Sequence, residues 1–240
     1  MPSILNIAAY RFIAIADPAA VVARVRALCE AQSLKGSVLV AKEGINLFLA
    51  GSHAGIRAFL ADLGEDPRFA DLAVKFSASE AQPFKRLKVK LKREIITFGA
   101  TPARPADSLT PGQLRDWLQS GRDDQGREIV LLDTRNRQEV EFGSFQDAVT
   151  LPIDRFTDLP AAIDSYRERF RGKTVVTFCT GGIRCEKAVP WMTENGFENV
   201  LQLEGGILGY FEQVGAEHFH GECFVFDERV ALDPQLRGRS

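Results

Sequence analysis

Between Thr174 and Gly196 the chain reads TVVTFCTGGIRCEKAVPWMTENG: a β-branched run ends at Phe178, a glycine pair follows, and a helix begins at once. A short apolar run of this kind is a buried strand. Joined through a tight loop to a helix, it stands Cys179 at the carboxyl edge of a parallel sheet, where open α/β folds place their sites. The backbone N–H groups of Thr180, Gly181, Gly182, Ile183 and Arg184 can curl around the sulfur as an anion-binding nest. The helix N-terminus adds about half a positive charge, and the Arg184 side chain a whole one. All three favour thiolate over thiol, which is what makes a cysteine nucleophilic. The bland alternative, a small hydrophobe at a strand end, does not account for Gly181, Gly182 and Arg184 within the next five residues.

Outward from this loop the pattern repeats. A helix (Thr110 to Ser120) and a strand (Ile129 to Leu132) come before it, with a helical stretch around Leu159 to Phe170. A helix from Cys185 to about Asn195, a strand (Val200 to Leu203) and a glycine turn come after. Strands alternating with helices predict a parallel sheet covered on both faces. Upstream, TPARPAD (Thr101 to Asp107) is a linker. The first hundred residues read as a strand (Ile4 to Ile15), then a helix opened by Asp17 and Pro18 and running to about Gln32. A hairpin follows (Gly36 to Val40, Gly44 to Ala50), then a helix from Ser52 to about Leu63 and strands at Leu72 to Phe76 and Leu87 to Phe98. This order is the split βαβ pattern of ferredoxin-like folds. The expected organisation is an α+β domain over 1–100, a linker over 101–107, an α/β domain over 108–215 and a C-terminal tail over 216–240.

With 45% hydrophobic and 26% charged residues among 240, the chain can bury a core. A net charge of −2 points to neither a nucleic-acid-coating nor a membrane-surface protein. No apolar run approaches the ~18 residues that span a bilayer. The N-terminus alternates and has no basic region ahead of it, so no signal peptide is expected. Four cysteines (Cys29, Cys179, Cys185, Cys223) are too few for a disulfide scaffold, and a cytoplasmic location is the expectation.

Other candidates each carry two readings. In FKRLKVKLKREI (Phe84 to Ile95), Arg86, Lys88, Lys90 and Lys92 share one strand face at ~6.6 Å spacing. The row either follows an RNA backbone electrostatically or guards an edge strand against aggregation. Cys185 either resolves a sulfur adduct on Cys179 as a disulfide partner or packs inward at the helix start. Glu186 and Lys187 either line the pocket or, the favoured reading, cap the helix and are solvated. Asp133 and Arg135 end the strand before the site, where they either assist it as auxiliary residues or, the favoured reading, pair structurally and brace the neighbouring loops. His218, His220 and Cys223 lack a fourth ligand, so no metal site is expected. There is no flavin fingerprint, iron triad or haem motif, and no cofactor is evident.

The DTR of Asp133 to Arg135, Glu139, FGSFQDAVTLP (Phe142 to Pro152) and CTGGIR together resemble a rhodanese domain over residues 107–215. In that superfamily a six-residue loop suits a sulfur atom, whereas the related phosphatases use seven; Cys179 to Arg184 counts six. GSVLVAKEGINLFLAG (Gly36 to Gly51), CTGGIRCEKA, LEGGILGYFEQVG (Leu203 to Gly215) and GECFVFDERVA (Gly221 to Ala231) resemble the oxygen-dependent tRNA uridine hydroxylases. That resemblance implies a ferredoxin-like, acylphosphatase-like α+β domain followed by a rhodanese-type α/β domain. It implies conversion of wobble uridine to 5-hydroxyuridine, a persulfide on Cys179, molecular oxygen as co-substrate, tRNA as partner, and a protein donating sulfur or electrons. Longer family members carry a cysteine-bearing extension beyond FVFDERVA, from which this chain departs. The competing readings are a plain sulfurtransferase using the same loop, and a non-catalytic RNA-binding scaffold. A simple sulfur carrier has no need of an N-terminal domain with a basic strand, and a vestigial unit commonly loses its cysteine.

Overall fold

The computed structural model describes residues 4–100 and 104–238, so residues 101–103 of the expected linker lie outside the described residues. The described chain divides into two compact units, 4–97 with 226–229, and 98–225 with 230–238.

In the first unit, β1 (Ile4–Phe12), α1 (Pro18–Ala31), β2 (Lys35–Ala41), β3 (Gly44–Gly51), α2 (His53–Gly64), β4 (Val74–Ser79) and β5 (Leu87–Leu91) follow in sequence. The sheet order is β4-β1-β3-β2-β5, with β5 parallel to β2 and the other pairs antiparallel. The first four strands form the ferredoxin-like arrangement, and β5 extends it at one edge. Alternation sends Leu5 and Ile7, Ile45 and Leu47, and Val38 and Val40 into one core with Val25 of α1 and Ile56 and Phe59 of α2. Each such burial contributes about 1.5–3 kcal/mol.

Three details differ from the expectation for physical reasons. Asp17 precedes α1 but its side chain makes no cap bond, because its carboxylate pairs with Arg68. Strand β1 stops at Phe12, since the N–H groups of Ile13 and Ile15 turn to the carbonyls of Glu43 and Lys42 in the hairpin turn. Strand β5 stops at Leu91 because the Glu43 carboxylate takes the Ile95 N–H at 2.8 Å and draws the chain out of the sheet.

The second unit contains β6 (Ser108–Leu109), α3 (Pro111–Ser120), β7 (Ile129–Asp133), α4 (Arg137–Val140), β8 (Gly143–Phe145), β9 (Val149–Thr150), α5 (Leu159–Ile163) and α6 (Arg167–Phe170). It continues with β10 (Thr174–Phe178), α7 (Cys185–Glu194), β11 (Val200–Leu203), α8 (Gly206–Gln213), β12 (Phe219–Gly221), β13 (Cys223–Phe224) and β14 (Ala231–Leu232). The main sheet, β6-β11-β10-β7-β9, is parallel throughout, as the alternation of elements predicts. Every residue of the central strand β10 is buried. Val176 and Phe178 pack with Leu114 of α3 and Ile207 and Tyr210 of α8. The opposite face meets α7, where Glu186 accepts from Gln202 of β11 at 2.9 Å. Residues beyond 215 join the first of these cores through Phe219, Cys223, Val225 and Leu232, and β12 pairs with β8.

Candidate active site

Strand β10 delivers Cys179 to the carboxyl edge of the parallel sheet, and α7 begins six residues later. Between them the loop folds back so that the Gly182 N–H donates to the Cys179 sulfur at 3.1 Å. Gly182 has φ +99°, a left-handed conformation that glycine adopts without strain. The ring is held from outside by α8, whose Ile207 and Leu208 N–H groups donate to the carbonyls of Cys179 and Thr180 at 2.9 and 3.0 Å. That docking requires Gly206: its φ is +59°, and a Cβ there would collide with the Cys179 carbonyl and come within 2.8 Å of the Gly182 nitrogen. Gly181 is different, since a Cβ added to it meets nothing within 4 Å.

The electrostatics favour the anion. Burial pushes the Cys179 thiol up, but a hydrogen bond from Cys185, the positive charge of Arg184 and the backbone N–H groups of Arg184 and Gly182 outweigh it, bringing the pKa down to about 6. Cys185 is the complement: burial and its role as donor to Cys179 hold its pKa well above the ordinary thiol value. Thr134 lies 3.7 Å from the Cys185 sulfur and donates to the Phe178 carbonyl at 2.9 Å, tying the ends of β7 and β10 together. At Cys29 and Cys223 burial outweighs the opposing groups, Arg26 at the first and Arg135 and Thr180 at the second, and raises both thiols to about 12. Cys179 is the thiol among the four that is poised as a thiolate.

Arg184 is only 6% exposed. Its Nη2 donates to Glu139 Oε1 at 2.8 Å, and its buried Nη1 has no hydrogen-bond partner among the described residues. Glu139 is itself held by the Asn136 N–H at 3.1 Å. Asp133 and Arg135, both fully buried at the end of β7, form a bidentate pair with contacts of 2.9 and 2.6 Å. Arg135 also donates to the Gly143 carbonyl at 2.6 Å, and Ser144 donates to Asp133 at 2.8 Å, so the pair braces the turn into β8.

The structure thus brings Cys179, Thr180, Gly181, Gly182, Ile183 and Arg184 into one loop, with Cys185 at the first position of α7 behind it and Asp133 and Arg135 on the adjoining strand end. Arg86, Lys88, Lys90 and Lys92 lie in the first unit, on and beside β5, and all four are exposed. Lys187 corrects the expectation of a solvated residue: the first turn of α7 is enclosed, and Lys187 is 0% exposed alongside Cys185 and Ala188. Among the described residues no group of three or more His, Cys, Asp and Glu side chains is placed to hold a metal ion. Two features escaped the sequence reading. The hold of Glu139 on Arg184 leaves no local signal beyond the charges themselves. The docking of α8 does leave one, in the paired Gly205 and Gly206 ahead of an apolar helix.

Comparison with known proteins agrees with this layout. Residues 4–95 match the UPF0176 acylphosphatase like domain and residues 110–213 the Rhodanese-like domain. A Xanthomonas euvesicatoria protein named tRNA uridine(34) hydroxylase is 60% identical over 238 residues, covering 98% of this chain and 96% of its own length. One of the same name from Xylella fastidiosa is 56% identical, with 98% and 93% covered. Among solved structures, a rhodanese-related protein from Thermoplasma volcanium is 24% identical over 45% of this chain and 93% of its own, with a TM-score of 0.36.

Proposed function

The chain belongs to the tRNA uridine(34) hydroxylase family, and from that membership we propose that it hydroxylates the wobble uridine of tRNA to 5-hydroxyuridine, with Cys179 as its reactive centre. The observation that carries the role of Cys179 is its sulfur, poised as a thiolate inside a six-residue ring with the Gly182 N–H at 3.1 Å.

The thiolate takes a sulfur atom from a sulfane donor, whose own sulfur leaves as a thiolate, and becomes a persulfide. The terminal sulfur of that persulfide is an anion, and the ring N–H groups together with the free Nη1 of Arg184 are the donors that stabilise it. Molecular oxygen is the co-substrate in this reading. Placing one of its atoms on the base and releasing the other as water consumes two electrons, so a protein donating sulfur or electrons is the implied partner. The exposed row of Arg86, Lys88, Lys90 and Lys92 is a contact for the tRNA backbone. Among the described residues no helix is long and apolar enough to cross a membrane, and the tRNA reading supports a cytoplasmic location. A plain sulfurtransferase would use the same ring, but the match to tRNA hydroxylases extends over both units.

Nucleoside mass spectrometry of tRNA from cells lacking the protein, with and without complementation, tests the assignment. The expected result is return of 5-hydroxyuridine at the wobble position, its added oxygen labelled when the cells grow under isotopically heavy oxygen gas. Return without label removes oxygen gas as co-substrate. No return transfers the assignment to sulfur transfer.

A further inference from the structure

The helix-free face of the first unit's sheet has a composition the core does not explain. Residues paired across strands share a face, and the register sets two rows on it. One runs Lys75, Ala8, Phe48, Ser37, Lys88, and the other Tyr10, Asn46, Leu39, Lys90. The opposite face of the three central strands is sealed by α1 and α2, with Ile7, Leu47 and Val38 no more than 3% exposed. On the helix-free face, by contrast, Tyr10, Phe48 and Leu39 remain only half-buried at the middle of the sheet.

The ends of this face are closed from within the unit. Asn46 donates to the Ile95 carbonyl at 3.2 Å at one end, and Arg229 donates to Ser77 at 2.7 Å at the other. The window between them has aromatic rings on β1 and β3 and cations at the flank. Lys88 and Lys90 are exposed, and neither is in an ion pair among the described residues. Four strand spacings separate Lys75 from Lys88, ~19 Å in all.

We propose that this face is a binding platform for single-stranded RNA, on which Phe48 and Tyr10 stack unpaired bases while Lys88 and Lys90 hold the backbone. Aromatic side chains on the middle strands of a four-stranded α/β sheet stack about two or three bases in known RNA-binding modules, and stacking tolerates any base because every base has a π-face. Charge complementarity selects the occupant, since paired cations beside aromatic rings match a phosphate backbone carrying bases. The inference rests on the tRNA reading above and assigns the unpaired part of that substrate, its loop, to the sheet face.

The test is fluorescence anisotropy with labelled oligouridylate, repeated with bulk tRNA and with polyglutamate as a competitor. Phe48→Ala is expected to weaken oligouridylate binding about tenfold, and Phe48→Tyr to restore it at an unchanged thermal midpoint. Lys88→Glu with Lys90→Glu is expected to lower the slope of log affinity against log salt by about 1.4. Equal binding by Phe48→Ala, or competition by polyglutamate as strong as by RNA, overturns the proposal. Because the oligouridylate assay does not depend on catalysis, it judges the platform even if wild type fails to restore 5-hydroxyuridine. If wild type restores the nucleoside while Phe48→Ala binds RNA normally, the platform alone is wrong.

Discussion

Burial works against a charged sulfur, and at Cys179 four groups reverse it: the Cys185 thiol, the Arg184 charge and two backbone N–H groups. The sign follows directly. A depressed pKa means the thiolate is lost as pH falls through about 6 and is complete well above it. Alkylation of Cys179 by iodoacetamide, followed by peptide mass spectrometry, should therefore rise with pH through about 6 and level off. Cys185→Ala removes a donor to a charged acceptor, a contact typically worth about 1.5–3 kcal/mol. At about 1.4 kcal/mol per pKa unit, the midpoint should move up by about one unit or more; an unmoved midpoint would show that Cys185 does not tune the thiolate. Glu139 acts one contact further out. Glu139→Ala leaves the Arg184 charge buried without its 2.8 Å partner, at a cost of about 3–5 kcal/mol, read as a lower urea midpoint.

At the scale of elements, the ring is a joint between β10, α7 and α8. Gly206→Ala should disrupt it, because the added Cβ collides with the Cys179 carbonyl in a left-handed conformation; the Cys179 alkylation profile should then move back toward that of an ordinary thiol. Gly181→Ala meets nothing and should leave the profile in place. If the two variants behave alike, α8 does not hold the ring. What was legible in the sequence follows the range of the forces. The strand, loop and helix from Thr174 onward carry their signal locally, in a β-branched run, paired glycines and helical spacing. The Ser52 cap on α2 does so too, its oxygen accepting the Gly55 N–H at 3.0 Å. The end of β5 was not legible, because it is set by the grip of Glu43 on Ile95, residues 52 positions apart. The same holds for the pairing of β12 with β8 and for the burial of Lys187, which depend on what the fold brings around them. The contact between Cys179 and Cys185 could not be read from a spacing of six, because it depends on how sharply the loop turns.

Across the whole molecule, two units supply two kinds of chemistry. The parallel sheet offers a single activated sulfur, and the ferredoxin-like sheet offers aromatic rings and the exposed Lys88 and Lys90 on a face its helices leave uncovered. Each is built from local contacts, so damage to one should be separable from damage to the other: RNA affinity should follow Phe48, Lys88 and Lys90, and sulfur reactivity should follow Cys179, Cys185 and Gly206. The central claim, that the modification runs through sulfur held on Cys179, is tested most directly by mass spectrometry on cells expressing wild type or Cys179→Ala. The account predicts a Cys179 peptide one sulfur atom heavier in wild type, and wobble 5-hydroxyuridine in wild type but not in the variant. Full 5-hydroxyuridine in cells carrying Cys179→Ala would contradict it.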